Sequence, residues 1–270
     1  MEKYSRNSRV AIITKTLCEN PNRILSLSYF AELFGAAKST ISEDLLIVRE
    51  TLDRAGEGKV ETLAGASGGV KYYVGVRPVV RQQFKADFLK YLSDASRIVP
   101  GNFLYVTDLM NNPRLMRLAG AILAEHFQEG KPDYIITVET KGIPLAYEVA
   151  RYLGVALIVV RQNTKITEGT AVSINYLTGN QGRLSVMSLS KRSIKPNSRL
   201  IFIDDFLRGG GTVRGIIDLL HEFESSLVGV GVMVDNKEVD KTIGVPFVNF
   251  CDYFGIDADG KIKIKASNSL

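Results

Sequence analysis

The run Leu200-Ile201-Phe202-Ile203-Asp204-Asp205-Phe206-Leu207-Arg208-Gly209-Gly210-Gly211-Thr212 constrains this chain more than any other stretch. Four apolar residues precede two acids and a glycine run, and Val213, Ile216, Ile217, Leu220 and Phe223 follow at helical spacing. The pattern predicts a buried strand, then a loop, then a helix with Thr212 as its N-cap. Successive glycines let several backbone N–H groups converge on an anion, which the positive end of the following helix also attracts. Adjacent carboxylates at the strand's carboxyl end would repel phosphate. Asp204 and Asp205 therefore suit hydrogen bonds from sugar hydroxyls, or a divalent metal held through water. Loop and acids together describe a phosphorylated sugar, and the pattern lacks both the Gly-Lys-Ser/Thr of a P-loop and the distant acid of a dinucleotide fingerprint.

The 270 residues suit a small domain plus a medium one. Net charge is +5, and residues 161–214 carry nine Lys or Arg against three acids, so the basic excess gathers around this loop. Cys18 and Cys251 are solitary, which supports neither a disulfide framework nor a zinc site, and no metal site is expected. The first residues lack the apolar core of a signal peptide, and no run approaches 18 apolar residues. A cytoplasmic chain with no membrane partner is expected.

Val10, Ile13 and Leu17 predict a first helix, ended by Asn20-Pro21-Asn22. Ser28 would cap a second, with Phe30, Leu33 and Phe34 on its apolar face, and Gly35 permits a sharp turn. A third begins near Lys38, its apolar positions Ile41, Leu45, Val48 and Leu52 leaving Lys38, Ser39, Thr40 and Ser42 outward at its N-terminal end. Residues 59–63 and 70–74 flank a glycine-rich tip as a hairpin. Three helices and a hairpin make a winged helix over residues 1–74, with Lys71, Arg6 and Arg9 as further contacts to double-stranded DNA. Residues 1–75 hold ten basic and nine acidic residues, a weak charge for a DNA-binding domain, so a protein-binding module is the alternative.

Residues 75–270 form the second domain. Pro78 opens a connecting helix through Phe84, Phe88, Leu89 and Leu92. Strands at 103–106, 133–138, 155–160, 200–203 and 227–234 alternate with helices, which predicts an α/β domain with a largely parallel sheet whose ligand site lies at the carboxyl ends of the strands. Residues 167–182 read as a mobile flap, and Leu184 to Leu189 as the strand that returns from it. His126 and His221 read as surface residues.

The acid-glycine run resembles the 5-phosphoribosyl-1-diphosphate (PRPP) motif of type I phosphoribosyltransferases. That resemblance implies 5-phosphate on Gly209, Gly210, Gly211 and Thr212, ribose hydroxyls on Asp204 and Asp205, and diphosphate at the Thr140-Lys141-Gly142 turn. Gly209 stands where catalytic members often place a threonine, and Arg208 where a small residue is common. With the winged helix, the whole chain resembles the PurR family of purine operon regulators of Gram-positive bacteria. The resemblance rests further on Lys38-Ser39-Thr40-Ile41-Ser42-Glu43-Asp44-Leu45, Gly68-Gly69-Val70-Lys71-Tyr72, Thr140-Lys141-Gly142-Ile143-Pro144-Leu145-Ala146-Tyr147, Thr167-Glu168-Gly169 and Val172-Ser173-Ile174-Asn175-Tyr176. It implies a homodimeric regulator of purine synthesis and salvage genes that binds DNA operator sites, senses PRPP, and needs no cofactor or catalytic residue. Mg2+ is the metal that would accompany PRPP if the acids hold one. An active purine phosphoribosyltransferase with an accessory domain is the alternative. Phe206, Arg208 and Tyr105 are also expected among the residues that bind PRPP, and Phe206 and Tyr105 read as rings at neighbouring strand ends, where a competing purine nucleotide would stack.

Overall fold

The computed structural model describes residues 4–65, 68–100, 103–162, 169–178, 183–237 and 244–270. Two compact units divide at Pro78, with Arg151–Gly154 grouping with the first.

In the first unit, α1 (Arg6–Glu19), α2 (Leu27–Phe34) and α3 (Lys38–Ala55) are followed by β1 (Gly58–Leu63) and β2 (Gly69–Val74). Ser5 caps α1 through the amide of Ser8, and Ser26 caps α2 through that of Tyr29. The cap of α2 is thus two residues earlier than the sequence pattern indicates. Leu33 is exposed, because Phe30 and Phe34 alone carry the buried face. The left-handed Gly35 ends α2, as the turn requires. Ile13, Leu17, Phe30, Phe34, Ile41, Leu45, Val48 and Leu52 close on Val60, Val70 and Tyr72 as one core. Leu25 and Val70 exchange backbone hydrogen bonds of 2.9 and 2.8 Å, so the segment before α2 adds a third short extended piece to the hairpin. Three helices against this small sheet form a winged helix.

In the second unit, α4 (Pro78–Leu92) leads to β3 (Ile98–Val99), β4 (Phe103–Leu104), α5 (Thr107–Met110) and α6 (Pro113–Phe127). Asn112 caps α6 with proline at its first position. Then come β5 (Tyr134–Val138), α7 (Ile143–Leu153), β6 (Ala156–Val160), β7 (Ala171–Thr178), β8 (Arg183–Ser190), β9 (Arg199–Leu207), α8 (Gly211–His221), β10 (Ser226–Asn236), β11 (Phe247–Ile256) and β12 (Ile262–Ala266). The main sheet has the order β12-β11-β10-β9-β5-β6, parallel except where β12 returns antiparallel to β11. The alternating strands and helices thus assemble as the α/β pattern predicts.

Two expectations change. The strand expected at 103–106 pairs for only two residues, with β3, and stands outside the main sheet. Arg97 explains this: its guanidinium donates to the Tyr105 carbonyl at 2.9 Å and to both Asp108 oxygens, while the Tyr105 amide donates to the Arg97 carbonyl, so the segment pairs locally. The expected flap is an antiparallel hairpin, β7 with β8, whose inner residues Tyr176, Met187 and Leu189 are buried in the core beside α8. Apolar side chains on alternate positions hold it down. Residues 163–168 and 179–182, part of that flap and of the basic stretch before it, lie outside the described residues. His126 and His221 are exposed, as expected. No helix of the described residues is long and apolar enough to cross a membrane.

One ion pair ties the first unit together. Asp44, on α3, is 1% exposed and accepts from Arg9 of α1 at 2.7 and 3.3 Å, with Arg6 at 3.5 Å. Asp44→Ala would leave Arg9 beside an apolar core without its partner. The unfolding midpoint of the first unit should then fall by on the order of 10 °C in a thermal scan of the full chain. An unchanged midpoint would mean that water replaces the carboxylate without loss.

Candidate functional site

Val138 ends β5 and Asp204 and Asp205 sit near the end of β9, its neighbour in the sheet, so strand pairing alone brings two loops and two acids together. Between them opens a cavity of about 460 Å³, lined by Val138, Glu139, Thr140, Lys141, Gln162, Tyr176, Ser185, Asp204, Asp205 and Thr212. Of the residues expected at the site, Asp204, Asp205, Lys141 and Thr212 line it. β9 runs on to Leu207, so the two acids belong to the strand rather than to the loop.

Asp204 is the most constrained of these. A Cβ at Gly142 would run into its Oδ1 and would stand 3.0 Å from its Cα and 2.8 Å from Thr137 Oγ1. Only glycine lets the β5 loop close over the acid. The Asp205 amide donates to Asp204 Oδ1 at 2.9 Å. Burial, and secondly the charge of Asp205, push the Asp204 carboxyl well above the usual carboxylate range. Thr137 Oγ1 is buried beside it and makes no hydrogen bond.

The glycine run joins strand to helix as expected, with a shift in register. Gly210, at φ 74°, is the N-cap of α8, and Thr212 already lies in the first turn. A threonine would resist that backbone, and no side chain caps the helix, so the first amides of α8 are open to an anion. Opposite them, Glu139 accepts from the Gln162 amide at 2.8 Å and faces Arg161 at 3.4 Å, which fixes the loop carrying Lys141. The Glu139–Thr140 peptide is cis.

Sequence reasoning missed Tyr176 and Ser185 as lining residues. Both come from the β7–β8 hairpin, and the Tyr176 ring rests on α8 where Gly215 leaves room: a Cβ there would be 2.9 Å from the Tyr176 Cβ. Burial, and then the charge of Asp204, raise the Tyr176 phenol. The signal for Tyr176 was alternation within the expected flap, whereas Ser185 lies in the strand expected at Leu184 to Leu189, which β8 contains. Phe206 and Arg208 lie outside the lining: Phe206 packs edge-on against Tyr253 at 5.8 Å, and the Arg208 guanidinium stands 5.7 Å from the Phe206 ring. Tyr105 is 46% exposed and does not line the cavity, and with β4 outside the main sheet it shares no pair of neighbouring strand ends with Phe206. Among the described residues, no group of three His, Cys, Asp or Glu could hold a metal ion.

A second candidate surface lies on the first unit. Lys38, Ser39 and Ser42 are exposed at the start of α3, with the Ser42 hydroxyl donating back to the Lys38 carbonyl. Thr40 is half-buried and lines a groove with Tyr4, Arg9 and Phe34. Arg9 is engaged by Asp44 and only 14% exposed, whereas Arg6 is largely free of burial. Arg9 therefore serves the fold rather than an external anion.

Residues 5–74 match the family described as "Bacterial purine repressor, N-terminal", and residues 106–263 the "Phosphoribosyl transferase domain". The purine biosynthesis transcriptional repressor PurR of Bacillus subtilis (strain 168) is 39% identical over 99% of this chain and 94% of its own length. The purine biosynthesis transcriptional activator PurR of Lactococcus lactis subsp. lactis (strain IL1403) is 36% identical over 85% of each chain. The crystal structure of adenine phosphoribosyltransferase from Thermoanaerobacter pseudethanolicus matches with a TM-score of 0.53 at 19% identity, covering 60% of this chain and 96% of its own, a likeness of fold alone.

A carboxyl whose folded value is raised binds its proton to higher pH in the folded chain than in the unfolded one, so stability falls as pH rises through that window. Asp204→Asn removes this loss. The unliganded variant should melt above wild type at about pH 8. The gap should open above pH ~4, where the unfolded acid ionises, and stop growing beyond Asp204's own value. Parallel melting curves across that range would show Asp204 to be well hydrated.

Proposed function

This chain belongs to the PurR family of purine biosynthesis transcriptional regulators, and on that premise we propose that PRPP binds the β5–β9 cavity and controls DNA binding. The chain is a DNA-binding regulator of purine genes and not an enzyme: relatives matching along most of its length are named as regulators. One relative is named a repressor and another an activator, so the sign of regulation follows from where the operator lies relative to the promoter.

The observation that carries the PRPP reading is the convergence of Asp204, Asp205, Lys141 and Thr212 on one cavity beside open helix amides. Asp204 and Asp205 accept the ribose hydroxyls, Gly209 to Thr212 hold the 5-phosphate through backbone N–H groups, and Lys141, with the Gly142 turn, meets the diphosphate. Mg2+, where present, comes with the diphosphate. Residues 1–74 supply the DNA contact, with Lys38, Ser39, Thr40 and Ser42 entering the major groove and Lys71 and Arg6 on phosphate, and residues 75–270 supply the sensor. A two-fold dimer places two winged helices on two half-sites of an operator in the cytoplasm. PRPP is strongly anionic and binds within the basic stretch around residues 161–214, so it opposes DNA by lowering the local potential as well as by shifting conformation.

Calorimetry should detect PRPP binding to wild type, with affinity reduced at least tenfold in Asp204→Ala plus Asp205→Ala. PRPP should release operator DNA from wild type while the double variant holds it. Equal PRPP affinity in both proteins would remove the site. Incubation with PRPP and each purine base should yield no nucleotide and no pyrophosphate, since Gly209 lacks the threonine hydroxyl common in catalytic members; turnover lost in the double variant would restore the transferase reading.

A further inference from the structure

The solvent face of the wing carries a small charge cluster. Val60, Val70 and Tyr72 turn inward to the core, which leaves Lys59, Glu61, Lys71 and Tyr73 on the other face of the two strands. The register sets Glu61 opposite Lys71 and Lys59 opposite Tyr73. Lys59 Nζ lies 2.5 Å from Glu61 Oε1, and Lys71 Nζ stands 4.7 Å from the centre of the Tyr73 ring. Glu61 thus sits amid two ammonium groups and a phenol. The hydrogen bond from Lys59 is the main cause that holds its carboxyl below the usual range, with smaller contributions from Tyr73 and Lys71.

Lysine ammonium groups and a phenolic hydroxyl are also the donors that a wing offers to a DNA phosphate. We propose that Glu61 is an internal stand-in for a backbone phosphate, occupying Lys59 and Lys71 in the free protein and weakening the sequence-independent part of DNA binding. This rests on the reading that the first unit binds DNA.

Two effects of Glu61 compete. By fixing the lysines it could pre-organise them for DNA, and by its charge it holds the place of the phosphate and repels it. Lys59 is 66% exposed and Glu61 35%, and an exposed pair of this kind contributes little to fixing two long side chains. Repulsion acts on every duplex the wing approaches, whatever its sequence. Repulsion therefore outweighs pre-organisation, and Glu61 restrains phosphate contact more than it aids it. Arg9 and Asp44 form the contrasting case, because Asp44 is 1% exposed and cannot yield its partner to DNA.

The test measures binding of the full-length chain to operator DNA and to an unrelated duplex across a salt series. Glu61→Gln, which keeps shape and removes charge, should bind both duplexes roughly five- to tenfold more tightly at low salt and steepen the log–log salt slope by about 0.9 for one recovered phosphate contact. Because the gain is shared by both duplexes, the ratio of operator to unrelated affinity should not rise. Adding Lys59→Gln to that variant should return the slope toward wild type, and equal unfolding midpoints establish that the fold is intact. Unchanged or weaker binding by Glu61→Gln would overturn the proposal while leaving the DNA-binding reading in place. A wild type that binds neither duplex would overturn both.

Discussion

Everything at the candidate site depends on how closely the β5 loop approaches Asp204. The parallel pairing of β5 with β9 brings Gly142 against the acid, and the absence of a side chain there is what allows contact with its carboxylate and Cα. Asp204 is thereby half-buried and held beside Asp205, lining a cavity that also exposes the first amides of α8. Like charges side by side and a buried threonine hydroxyl without a partner are unfavourable in the unliganded chain. On the proposed reading, a ligand bringing several hydroxyl donors and two anionic ends would offset them.

The hairpin of β7 and β8 extends this logic. It is not part of the main sheet, yet it is anchored to α8 by Tyr176 and Met187 packing where Gly215 has no side chain. The helix whose N-terminus opens beside the cavity therefore also seats a tyrosine that lines it. A shift of α8 on ligand binding would be felt directly by the hairpin, because packed side chains transmit displacement rather than absorb it.

In the first unit, charges of the same type meet different fates according to depth. Asp44 points between α1 and α3, where water is excluded and Arg9 is its obligatory partner, so this pair holds the helices of the DNA-binding unit. Glu61 lies on an exposed strand face, where its lysines are shared with solvent and exchangeable for other anions. Net charge alone does not distinguish the two, and it understates the cations this unit can present to a phosphate backbone.

The winged helix, the largely parallel α/β sheet and the strand-glycine-helix turn at 200–221 were legible in the sequence, because each rests on local pattern: helical spacing at Ile41, Leu45, Val48 and Leu52, apolar runs at 134–138 and 200–203, and glycines following acids. Tertiary structure alone decided which of the marked residues meet. Arg9 looks free in sequence because Asp44 is 35 residues away, and becomes its partner only when α1 crosses α3. Tyr105 looks like a strand end because Phe103 to Val106 is apolar, but Arg97 captures its carbonyl and keeps it outside the main sheet. Tyr176 looks like a flap residue, and Ser185 like one position in a returning strand, until strand pairing turns alternate side chains toward α8 and the cavity. Local pattern specifies the conformation of a segment, whereas contacts between segments distant in the chain depend on the free energy of packing the whole, which no window of sequence contains.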